Sequence, residues 1–118
     1  MVEAQNQSRF LGWVEFHRRN PGVFDLFVAF ARQARAARGS RRVGARMIGE
    51  RIRWQSLISV DATDKQYQLN DHLWPYYARL AMAICPDLAG AFERRDSHFD
   101  ASDEEIVAAH STTVGGAA

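Results

Sequence analysis

The chain has 118 residues, of which 47% are hydrophobic and 25% charged, the composition of an ordinary water-soluble protein with one modest core. Its apolar runs fall well short of the roughly 18 residues that cross a bilayer, so we expect no membrane-spanning helix. Residues 1–6 are polar and Cys85 is the single cysteine. These features predict a cytoplasmic protein without a secretory leader or an internal disulfide.

The net charge of +1 conceals an uneven distribution of charge along the chain. Residues 1–60 contain eleven arginines and four acids, whereas residues 61–118 contain four basic and ten acidic residues. Eight arginines lie between Arg32 and Arg53, where Glu50 is the one acid. This segregation indicates an anionic partner for the first half of the chain. A GC-rich genome would explain arginine over lysine, but it does not explain why acids avoid residues 26–49.

Apolar residues at helical spacing predict two helices before residue 40. The first covers about residues 5–19 and carries His17 on or beside its apolar face. A lone histidine on a helix is more often packed than a metal ligand. The second helix starts at Asn20-Pro21, because Asn is a good N-cap and Pro suits the first helical position. Its buried face is expected to consist of Val23, Phe27, Phe30 and Ala34.

A third helix, residues 41–54, is predicted after a turn of about three residues at Gly39, where a positive φ is expected. Helical spacing divides its side chains into a broad apolar arc and a narrow cationic stripe. The arc consists of Val43, Met47, Ile48, Ile52 and Trp54. The stripe consists of Arg42, Arg46, Gly49 and Arg53. Gly49 is expected to leave a gap in the stripe where another surface can approach closely.

Arg51 projects from the middle of the apolar arc. A buried guanidinium without a partner is very costly, so we expect Arg51 to form a structural ion pair. The expected partner is Asp71 or Asp25.

Residues after Trp54 favour strands over helices. Ile58 and Val60 alternate with polar residues, as do Tyr67 and Leu69, and residues 61–66 between them are typical of a turn. A β-hairpin directly after two helices joined by a short turn is the order of a winged helix. The predicted fold class is therefore mainly α with a short β-hairpin, similar to a winged helix-turn-helix.

A fourth helix over about residues 72–84 and a short last helix from Pro86 complete a predicted domain of residues 1–96. Residues 97–118 are rich in acids, Ser, Thr, Ala and Gly, and we expect a mobile acidic tail there.

Five separated blocks resemble a family of small proteins encoded by bacteriophages, prophages and some bacterial genomes. They are NPxVFxLF at 20–27, IxxRIRW at 48–54, YxLN at 67–70, YYARL at 76–80 and PxxxGxFxxR at 86–95. The likeness covers about residues 10–95 and keeps the order of the blocks. It implies a phage or mobile-element setting, in a bacterial cell or phage-infected host, and no particular chemistry.

The sequence contains no recognisable catalytic, cofactor or metal constellation, so we expect neither an enzyme nor a cofactor. Cys85 has no nearby base, and the two glycines at 44 and 49 lack the Lys-Ser/Thr of a phosphate-binding loop. The first hypothesis is a small phage-type DNA-binding protein, for which a regulatory role is one option. Its DNA contacts would come from Arg41, Arg42, Arg46, Arg53 and Lys65. The second is a non-catalytic module that binds an acidic protein, such as a phage inhibitor of a host factor or defence system.

Overall fold

The computed structural model describes residues 2–39, 42–59, 72–93 and 101–116. These ranges contain α-helices, one 3₁₀ turn and no strand. The helices are α1 (Val2–Arg19), α2 (Gly22–Arg38), α3 (Ala45–Ser59), α4 (Trp74–Ile84) and α5 (Asp103–Gly116), and the 3₁₀ turn is Pro86–Leu88. α4 packs against α2, α3 and α5, while α3 also contacts α2 and α5 also contacts α1. None of the described helices is both long and apolar enough to cross a membrane.

The predicted apolar face of α2 forms the centre of the core. Val23, Phe27 and Phe30 are buried, as the periodicity indicates. The Phe27 ring lies 5.4 Å from that of Phe92 and 6.4 Å from that of Trp74, measured between ring centroids. Such spacings are typical of packed aromatic pairs, so Phe27 joins α2 to α4 and to the segment after the 3₁₀ turn.

Asn20 has a different role from the predicted N-cap. Its side-chain amide donates a hydrogen bond of 3.1 Å to the carbonyl of Phe16, at the end of α1. Its own carbonyl accepts a hydrogen bond of 3.1 Å from the amide of Val23. Asn20 therefore satisfies a carbonyl at the end of α1 with its side chain and connects to α2 through its backbone.

α3 and α4 approach each other at Gly49. A Cβ atom at this position would overlap the indole ring of Trp74, so the ring lies directly on the backbone of α3. Ile48 and Ile52, the neighbouring inward residues, are fully buried. The expected gap at Gly49 for an external surface is therefore wrong, because Trp74 of the same chain fills it.

The predicted hairpin and winged-helix class are also wrong. α3 continues to Ser59, so Ile58, expected in the first strand, belongs to a helix, and the described ranges contain no strand. Strand propensity is a weak preference that packing overrides, and Ile48 and Ile52 anchor this helix in the core. Residues 60–71, which include the second expected strand, lie outside the described residues.

Gly39 has the predicted positive φ, 70°, but the connection from α2 to α3 covers residues 39–44 rather than about three residues.

The acidic C-terminal segment contains a packed helix where a mobile tail is expected. The Ser102 hydroxyl accepts a 3.1 Å hydrogen bond from the Glu105 amide, and the Glu105 carboxylate accepts one of 3.0 Å from the Ser102 amide. This reciprocal pair is a capping box, which stabilises the start of α5. Ile106 is fully buried, and Asp103 lies 3.6 Å from the guanidinium of Arg79, which is 6% exposed. α5 is therefore packed on the other helices.

Substitution of Gly49 tests the contact between α3 and α4. Gly49→Ala should lower the free energy of unfolding by about 1–3 kcal/mol, because overpacking outweighs the gain in helix propensity. Gly12→Ala in α1 is the matched control, since no atom beyond the adjacent residues and the backbone of the helix itself lies within 4 Å of a Cβ built there. It should raise the free energy of unfolding by up to about 1 kcal/mol. Urea denaturation of both variants measures the difference, and equal stabilisation by both would contradict the contact.

Candidate functional site

The predicted cationic stripe does not form one continuous row. Arg42 precedes the first turn of α3, in a segment anchored by a 2.8 Å hydrogen bond from the Val43 amide to the Ala91 carbonyl. Its side chain lines a cavity of about 350 Å³ together with Phe92 and Asp103. Arg42 therefore faces the side of the molecule where α4 and α5 meet. The other predicted DNA contacts Arg41 and Lys65 lie outside the described residues.

The outward side of α3 presents a cationic and aromatic surface. We define the α3 surface as Arg46, Met47, Glu50, Arg51, Arg53 and Trp54. Trp54 is 64% exposed and Met47 is 46% exposed, which contradicts their expected place in a buried arc. The side of α3 that faces inward is instead the one that carries Ile48, Gly49 and Ile52. One side of the helix thus carries three arginines and one acid around an exposed tryptophan.

Arg51 lies on this surface rather than inside the core. Its Nη2 donates a 2.7 Å hydrogen bond to the side-chain carbonyl of Gln33, and its guanidinium carbon lies 4.1 Å from the centroid of the Phe30 ring. The expected burial of Arg51 is therefore wrong. Asp71 lies outside the described residues, so the pair Arg51–Asp71 stays a prediction. The contacts with α2 orient the guanidinium without neutralising its charge.

The remaining charged groups near α3 differ in how far they are neutralised. Arg53 lies 3.5 Å from the carboxylate of Glu50, one turn earlier on the helix. Arg32 on α2 donates two hydrogen bonds to Asp87, of 2.8 and 3.1 Å. These bonds lower the pKa of the Asp87 carboxyl and raise the pKa of Arg32. Arg32, one of the eight arginines in the basic stretch, is thus paired within the fold.

A histidine pair, made of the buried His17 and the half-buried His110, lies between α1 and α5. His17 is 1% exposed, and its Nε2 lies 2.9 Å from Nδ1 of His110. Its Nδ1 lies 3.2 Å from the hydroxyl of Tyr77 on α4. Burial, and then the neighbouring His110, lower the pKa of His17 to about 4, and burial also raises the pKa of Tyr77.

Sequence reasoning missed this pair because His17 and His110 are 93 residues apart. The signal that was available is the Ser102-x-x-Glu105 capping box followed by Ile106, which predicts a helix with His110 one turn beyond the buried Ile106.

The described part of the chain contains no group of three or more His, Cys, Asp or Glu side chains that could bind a metal ion. Cys85 is half-buried, and burial raises the pKa of its thiol, which favours the less nucleophilic protonated form.

Comparisons with models of protein families, with curated proteins and with solved structures find no match to this chain. The resemblance to phage-encoded proteins stays a prediction based on the five sequence blocks.

Fluorescence quenching tests the exposure of Trp54. Trp13 and Trp74 are each 1% exposed, so acrylamide should quench mainly the emission of Trp54. Trp54→Phe should remove this accessible fraction and leave the shielded emission of the other two tryptophans. Circular dichroism should be unchanged, because the exposed ring contributes little to packing. An unchanged quenching constant in Trp54→Phe would mean that Trp54 is buried.

Proposed function

We propose that this chain is a small, non-catalytic DNA-binding protein that contacts phosphate groups through the α3 surface. The observation that supports this function is the exposed side of α3 with three arginines and one acid. Arginine forms paired hydrogen bonds with phosphate oxygens, and an exposed helix is a common element of DNA-binding proteins. The predicted phage or mobile-element setting suits such a protein, with regulation as one role.

The spacing of the arginines suits a polyanion. Arg46 and Arg53 are seven residues apart, which is about 10 Å along a helix axis, whereas each strand of duplex DNA carries one charge per about 3.4 Å of axis. Both side chains can therefore reach different phosphates of one strand. Arg51 projects about 140° around the helix from Arg46, with its guanidinium held by Gln33. It would contact a phosphate on the flank of the same surface.

Glu50 is the acid on this surface, and it opposes DNA binding in two ways. Its carboxylate repels phosphate, and it competes for Arg53 across a distance of 3.5 Å. An exposed pair of this kind contributes little to stability. Removal of the Glu50 charge is therefore expected to strengthen DNA binding without unfolding the protein.

A second candidate function is binding of an acidic protein partner. Met47 and Trp54 are exposed on the same side of α3 as the arginines. Trp, Met and Arg are enriched at the centres of protein interfaces, and Trp and Arg often contribute most of the binding energy there. A phage inhibitor of a host factor or defence system would be a protein of this class.

Fluorescence anisotropy with a labelled mixed-sequence duplex tests DNA binding. At low salt we expect a dissociation constant of tens of micromolar or tighter, with a slope of about −3 for log K against log salt if three phosphates are neutralised. Arg46→Gln or Arg51→Gln should each reduce the magnitude of this slope by about one, and Glu50→Gln should increase affinity.

Arg18→Gln is the matched control, because Arg18 is an exposed arginine on α1 that pairs with Glu15. It should leave the slope and the affinity unchanged. If the duplex and a single strand of the same length both fail to bind at tens of micromolar, the DNA function is rejected in favour of the protein partner. Equal weakening by Arg18→Gln and Arg46→Gln would show that binding does not use the α3 surface.

A further inference from the structure

We propose that α5 is a pH-sensitive latch, held against α1 and α4 by the neutral pair His17–His110 and released when that pair takes up protons. The pair connects elements far apart in the chain, and it lies in a largely aromatic site. α5 is also attached through the buried Ile106, through Val107 and Ala109, which pack on the core, and through the ion pair Arg79–Asp103. Release would uncover the parts of α1 and α4 that α5 now covers.

The hydrogen bond between the two histidines requires at least one neutral ring. We assign the tautomers from the partners: the Tyr77 hydroxyl donates to Nδ1 of His17, and Nε2–H of His17 donates to Nδ1 of His110. In this arrangement each ring carries one proton, and Nε2–H of His110 is the proton that is not used within the chain of bonds. A bond between two ring nitrogens needs one lone pair, so it cannot form between two doubly protonated rings.

The first and the second proton taken up by the histidine pair affect the latch differently. One proton on Nδ1 of His110 can be accommodated if all donors reverse, so that His110 donates to His17 and His17 donates to the Tyr77 oxygen. This state keeps the bonds but leaves a positive charge on the half-buried His110, beside the aromatic rings of the site. A second proton places N–H groups against each other across a 2.9 Å separation and adds repulsion between two cations.

The groups around the pair give the charged state little stabilisation. The Trp13 ring is stacked on His17 at 5.2 Å, and the Phe24 ring lies edge-on at 6.1 Å from His17 and 5.1 Å from His110. Tyr77 faces His17 from α4. Asp25 on α2 favours the charged form of His110, but burial has the larger effect and lowers the pKa of His110. The surroundings therefore favour neutral histidines while α5 is docked.

The direction of the pH effect follows from these shifts. The pKa of His17 is about 4 when α5 is docked and returns to about 6.5 when the ring meets water. The released state therefore binds protons more readily, so docking is strongest above about pH 6.5 and weakens as the pH falls toward 4. At pH 5 this difference for His17 alone reduces the docking equilibrium by about 20-fold relative to pH 7.

Hydrogen exchange of the full chain, followed by mass spectrometry at pH 7.5 and pH 5.0, tests the latch. After correction for the intrinsic rate, amides of α5 should lose protection by at least about tenfold at pH 5.0, while amides of α2 and α4 keep theirs. His72→Gln is the control, because His72 is exposed and should leave this pH response unchanged. His110→Gln removes one titrating ring and should reduce the pH response of α5.

Nitrogen NMR of the histidine rings gives a readout that does not depend on the variants. In the wild type we expect neutral His17 with Nε2–H at pH 7.5, and charged rings at low pH that appear together with the loss of α5 protection. Protection of α5 that is the same at both pH values would overturn the proposal. So would titration of His17 and His110 near 6.5 while α5 stays protected.

Discussion

The contact of the Trp74 ring with the backbone of Gly49 determines how α3 is oriented in the molecule. A side chain at position 49 would keep the indole away from the helix, so glycine is required for this approach. Once the Gly49 side faces inward, Ile48 and Ile52 are buried with it and the opposite side must face outward. The surface proposed to bind DNA is therefore a consequence of packing between α3 and α4.

Apolar periodicity predicts α2 well, because Val23, Phe27 and Phe30 form one dominant buried stripe. α4 has no such stripe, since residues on nearly every side of it are buried, Tyr76 and Arg79 among them. The buried side of α3 is harder to predict from the sequence, because its broad apolar arc contains two stripes that could each face the core. One contains Met47 and Trp54, the other Ile48 and Ile52. Hydropathy does not separate them, since the deciding residue is a glycine with no side chain of its own.

Local sequence features mislead in two places, at the end of α3 and in the segment that contains α5. Strand propensity suggests that the helix ends before Ile58, although the packed helix continues to Ser59. Acidic composition suggests a tail over residues 97–118, although the Ser102–Glu105 capping box is readable in the sequence and correctly marks the start of α5. The contact between His17 and His110 has no local signature. It arises when α5 folds back onto α1, and that arrangement is a property of the packed helices.

Some of the segregated charges pair with each other within the fold, and others lie on the outward side of α3. The ion pair Arg32–Asp87 joins the basic first half to the acidic second half, so part of the asymmetry is used within the fold. On α3, Arg51 contacts an amide and an aromatic ring, neither of which carries a charge. These contacts hold the guanidinium in one orientation, so it would lose little further conformational freedom on binding. The proposed DNA contact therefore depends on the α3 surface rather than on the basic stretch as a whole.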